Sequence, residues 1–121
     1  MKRDMNLVRS ILLEMEEMPY DMGVHEIEVE GHSPDEISYH VMLLVEAGLI
    51  EAEDLSSISG PQWLPMRLTW DGHEFIEASR DEKRWNTAKN TMATKGGGLV
   101  FEVLKQLLVS GVRDAVFGGG Q

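Results

Sequence analysis

The sequence predicts a mainly α-helical fold with one small β hairpin. Three observations lead there. Apolar residues recur at three-and-four spacing over residues 3–18. Ser33-Pro34-Asp35-Glu36 is a complete helix-start signal followed by a periodic run. Two β-patterned stretches, from Leu49 to Leu55 and from Trp63 to Trp70, are separated by the turn residues of 56–61. With 121 residues and 42% hydrophobic side chains, the chain can bury one core without a metal or disulfide staple.

In the first helix, Val8, Ile11, Leu12, Met15 and Met18 form the inward stripe, and Pro19 ends it. Asp21-Met22-Gly23 is a turn. In Glu26-Ile27-Glu28-Val29-Glu30 the apolar residues alternate with acids, the pattern of a short strand over 25–30 with one buried face, closed by Gly31. Ser33 then caps the second helix, which runs to about Ala47 with Ile37, Val41, Leu44 and Val45 inward and Gly48 as its left-handed stop. Pro65 removes a ladder donor and belongs on an edge or at a bulge.

Thr69 opens a further helix expected to run unbroken to about Thr94, a length of about 36 Å at the α-helical rise. Gly96-Gly97-Gly98 reads as a hinge, so the chain organises as residues 1–95 followed by 96–121. Between Leu99 and Phe117, twelve of nineteen residues are apolar, too wide a stripe for a helix with one wet face. That segment either folds back on the core, pairs with its copy through Phe101, Leu104, Leu107, Leu108 and Val112, or lies on a membrane surface. A homodimer is the expected assembly.

Charge and missing motifs exclude much chemistry. The net charge is −10, and residues 1–60 hold three basic against fourteen acidic side chains. Cysteine is absent, which removes disulfides, thiolate metal sites and cysteine nucleophiles. The four histidines show no i,i+4 pairing and no H-E-x-x-H, so no metal is expected, and His40 beside the apolar stripe reads as structural. Gly31-His32-Ser33 lacks the G-x-S-x-G frame and Lys95-Gly96-Gly97-Gly98 lacks the phosphate-loop order, so no catalytic residue and no cofactor are assigned. Asp4, Asn6 and Arg9 interrupt any apolar signal segment behind Met1-Lys2-Arg3, and no run is apolar enough to span a bilayer. A cytoplasmic setting is the expectation.

A capped helix ending in E-A-G-L-I, a two-stranded wing and a helix entered through L-T-W-D-G resemble a winged helix-turn-helix over residues 33–80, with one helix fewer before the second helix. The blocks M-K-R-D-M-N-L-V-R, I-S-Y-H-V-M-L-L-V-E-A-G-L-I and R-L-T-W-D-G-H-E-F-I-E-A-S-R-D, in this order, resemble a small bacterial and phage-associated family catalogued as domain of unknown function 2513. The resemblance implies a bacterial or prophage origin and brings no activity, cofactor or catalytic residue.

A winged helix suggests DNA binding through the outward face of the second helix: Asp35, Ser38, Tyr39, Met42 and Glu46. Guanine readout and phosphate contact need arginine or lysine, and residues 33–50 contain neither. Nucleic acid is therefore disfavoured, although a dimeric regulator could use Arg80, Lys83, Arg84 and Lys89. The same five residues suit a protein partner of basic character, and an interaction or adaptor role is expected. A further alternative is an acidic nucleic-acid mimic acting through Glu26, Glu28 and Glu30.

Overall fold

The computed structural model describes residues 1–94, and the expected C-terminal helix with Phe101, Leu104, Leu107, Leu108 and Val112 lies outside them. The element order is α1 (Met5–Glu16), α2 (Pro34–Glu46), β1 (Ile50–Asp54), β2 (Trp63–Leu68), α3 (Trp70–Ser79) and α4 (Glu82–Thr94). The fold is mainly α with a two-stranded antiparallel hairpin, as the sequence predicts. The chain forms two compact units that divide inside α3, Met1–His73 and Glu74 onward.

In the first unit α1 packs on α2 and β2, and α2 packs on both strands. Leu7, Val8, Ile11, Leu12 and Met15 from α1 are buried, as are Ile37, Val41 and Leu44 from α2 and Leu49, Ile50 and Leu68 from the hairpin. Asp4 caps α1, its carboxylate accepting the Asn6 and Leu7 N–H groups at 2.9 and 3.3 Å. α1 and α2 are also pinned by His40, which is 1% exposed. Its Nδ1 donates to the Glu36 carbonyl at 2.7 Å, and its Nε2 accepts the Asp4 N–H at 2.8 Å. One ring nitrogen must donate and the other accept, which the neutral imidazole alone provides.

α2 begins with the expected capping box: Ser33 Oγ accepts the Glu36 N–H, and the Glu36 carboxylate accepts the Ser33 N–H, each at 3.2 Å. It ends in a Schellman motif, with Gly48 at φ 77° and the Gly48 and Leu49 N–H groups donating to the Val45 and Leu44 carbonyls. The Ser33 N–H and then His32, 3.1 Å away, hold the Glu36 carboxyl below the usual carboxylate range. A depressed carboxyl contributes stability above its unfolded value and loses it as the pH falls through its folded value. Glu36→Gln retains a capping-box side chain without the charge. The wild type is therefore expected to melt higher than the variant at neutral pH, with the gap closing on acidification, as thermal melts across the carboxylate range will record.

The hairpin pairs Ile50 with Leu68 and Glu51 with Arg67, and then shifts register so that Ala52 faces Pro65. Met66 is the extra residue, so the bulge sits next to the proline that cannot donate to the ladder. Arg67 makes a bidentate pair with Glu51 at 2.7 and 2.9 Å; both side chains are half exposed, so the pair contributes at most about 1 kcal/mol.

Two expectations are corrected. Residues 24–29 do not form a strand: one N–H from His25 reaches the Pro65 carbonyl at 3.0 Å, and no ladder follows. The helix expected from Thr69 to Thr94 is broken at Arg80-Asp81 into α3 and α4. The Asp81 carboxylate takes the Arg84 N–H at 2.9 Å and its carbonyl takes the Trp85 N–H at 3.0 Å, starting α4 afresh. The break lets the buried Phe75 and Trp85 rings meet edge to face at 6.3 Å. Ten residues apart on a straight helix, they would be separated by about 15 Å along the axis.

Candidate functional site

The first unit carries an open groove of about 880 Å³ bounded by three segments. One wall is the acidic stretch 26–32, the second is the first turns of α2, and the third is the hairpin turn with the start of β2. Each wall has a local cause. The Asp21 carboxylate accepts the Gly23 N–H at 2.9 Å and meets His25 Nε2 at 3.0 Å, contacts that lower its pKa, the backbone bond most. That turn delivers His25 to the Pro65 carbonyl. The His32 N–H then donates to the Val29 carbonyl at 3.1 Å, and the chain turns through Gly31 into the Ser33 cap. On the far side, Ser57 and Gly60 exchange backbone bonds at 3.0 Å and close the turn of the hairpin.

Along the acidic wall exposure alternates. Glu26, Glu28 and Glu30 are exposed, while Ile27 and Val29 are half-buried. This is the period of two of an extended chain. The apolar side of the groove includes Ile27, Val29, Ile37 and Trp63. None of the lining residues is lysine or arginine, so the three carboxylates set an uncompensated negative potential along the wall. The facing edge of β2 is closed: Pro61 and Pro65 have no N–H, the Trp63 N–H donates to Ser38 Oγ at 2.9 Å, and the Pro65 carbonyl is taken by His25. At the turn beside the groove, Ile58 stands fully exposed and Leu55 is 44% exposed.

The five residues expected on one outward face of α2 separate. Asp35 and Glu46 are exposed, and Tyr39 and Met42 are half-buried. Ser38 is 6% exposed and lies in the groove wall, where its hydroxyl anchors β2, so the expectation that it faces outward is corrected. Ser38 and Glu26, Glu28 and Glu30 are brought to one groove from different elements. Trp63, Ile58 and the turn carry no motif that marks them as site residues. Pro61 and Pro65 flanking Trp63 were the available signal of a strand edge closed to further pairing.

Among the described residues no group of histidine and carboxylate side chains is placed to hold a metal ion. No helix among them is long and apolar enough to cross a membrane.

Residues 2–98 match the family described as "Hypothetical protein (DUF2513)". An uncharacterized protein of Haemophilus influenzae is 38% identical over 108 residues, which cover 88% of this chain and 92% of that protein. No solved structure matches.

Proposed function

The chain belongs to the DUF2513 family, and for it we propose a non-catalytic role as a protein-interaction or adaptor protein that receives a basic segment of a partner in the groove. The observation that carries this reading is that Glu26, Glu28 and Glu30 alternate with the apolar Ile27 and Val29 along one wall of a groove whose lining has no lysine or arginine. Carboxylates arranged this way repel phosphate and favour a cationic polypeptide. The exposed Ile58 at the turn gives such a partner apolar surface to cover. The helix–hairpin–helix order supports a modified winged-helix arrangement with the hairpin as its wing. A cytoplasmic protein of bacterial or prophage origin, self-associating through the segment from Phe101 to Val112, completes the proposal.

Fluorescence anisotropy with a labelled lysine-rich peptide and with random duplex DNA tests it. The peptide is expected to bind, and the joint change Glu26→Gln, Glu28→Gln and Glu30→Gln is expected to weaken it about tenfold, at a few tenths to 1 kcal/mol per charge pair. The joint control Glu53→Gln and Asp54→Asn should leave binding within about twofold. Salt-sensitive binding of the duplex with no uptake of the peptide would replace this reading with a DNA-binding regulator.

A further inference from the structure

We propose that the groove's occupant is an extended peptide that pairs its backbone with residues 26–30 as an added strand, its cationic side chains falling at alternate positions. The inference rests on the basic-partner reading and specifies how such a partner is held. Within 26–30 the structure shows one backbone hydrogen bond, the Val29 carbonyl accepting from His32. Among the described residues no other backbone bond is made by this stretch, and it lines the groove along its whole length. Apart from the Val29 carbonyl, the backbone groups along these five residues, a length of about 17 Å, are therefore open to pairing.

The opposite side of the groove cannot take that role. Along the outer edge of β2 the prolines supply no donors, and Ser38 and His25 occupy the Trp63 N–H and the Pro65 carbonyl. The pairing of this segment with β2 stops at the one bond from His25.

Strand addition fixes the side-chain pattern of the guest, because directly opposed residues of paired strands share a face. Guest residues opposite Glu26, Glu28 and Glu30 lie on the exposed face and are matched by lysine or arginine. The intervening guest residues share the face of Ile27 and Val29, beside Ile37 and Trp63, and are matched by β-branched apolar side chains.

The probe is a capped, labelled Lys-Val-Lys-Val-Lys peptide, compared with a Lys-Lys-Lys-Val-Val peptide of the same composition. Two further versions are N-methylated at the lysines or at the valines. The alternating peptide is expected to bind about tenfold more tightly than the block peptide. In a paired strand alternate N–H groups point to the partner, so one methylation pattern is expected to abolish that advantage and the other to leave it. Amide exchange of residues 26–30 is expected to slow on binding. Equal binding by the alternating, block and both methylated peptides would overturn strand addition while leaving a basic partner in place. Failure of every peptide to bind would overturn both readings.

Discussion

Replacing Gly72 with alanine is expected to cost the fold about 2–3 kcal/mol, lowering its melting temperature by about 10 °C or more. Gly72 is buried in the first turn of α3, where the backbone runs onto Leu49, the residue just before β1. The Thr69 N–H donates to the Leu49 carbonyl at 3.0 Å, and Thr69 Oγ1 donates to the Gly48 carbonyl at 2.7 Å. Thr69 Oγ1 also accepts the Gly72 N–H at 3.1 Å and so caps α3. A Cβ on Gly72 would overlap the Leu49 carbonyl oxygen, lie 3.1 Å from the Leu49 carbonyl carbon and press the Leu68 side chain at 3.3 Å. Two of these three atoms belong to the backbone of a residue already tied to Thr69, so no rotamer change relieves the clash. Alanine is the better helix former in isolation, which makes the predicted sign a test of the close approach. Urea unfolding of the variant checks it; a stability equal to that of the wild type would show that helix α3 does not press on Leu49.

The second large effect is expected at His40. His40→Leu keeps an apolar side chain of similar size but removes the donor to the Glu36 carbonyl and the acceptor for the Asp4 N–H. The Asp4 N–H, partly buried, is then left without a partner, and a loss of about 2–3 kcal/mol is expected. The damage should be local in origin. Asp4 caps α1, so amides in the first turn of α1 are expected to exchange much faster, while those of the β1–β2 ladder change only by the global loss. Equal acceleration in both places would mean that His40 serves general packing and that its bond to Asp4 carries no separate weight.

Both effects involve contacts between segments distant in the chain, and this marks the limit of what the sequence alone discloses. The α2 capping box, the Gly48 stop and the position of the bulge near Pro65 are legible because each depends on side chains within a few residues of the backbone they satisfy. The alternation of Glu26, Ile27, Glu28, Val29 and Glu30 reports the exposure of these residues correctly, yet it does not make a strand. A strand needs a partner edge, and β2 offers it prolines and a donor already given to Ser38. Ser38 departs from its expected outward position for the same reason. A helical wheel places it beside Tyr39 and Met42, and the pull of the Trp63 N–H, twenty-five residues away, turns it inward. The break between α3 and α4 follows the Asp81 cap and the meeting of Phe75 with Trp85, of which the sequence displays only the first.

The candidate site divides in the same way. Its acidic character and the lack of a basic helix face were present in composition and spacing. That Glu26, Glu28 and Glu30 line one groove with Ser38 and Trp63 was decided by tertiary packing. By itself the sequence determined the start and stop of α2, the hairpin and the sign of the charge, because capping, turn geometry and charge act over one or two turns of chain. The groove, the missing ladder along residues 24–29, the buried Ser38 and the divided helix were decided only by the tertiary structure. Each depends on which backbone donor or acceptor a distant segment leaves unsatisfied.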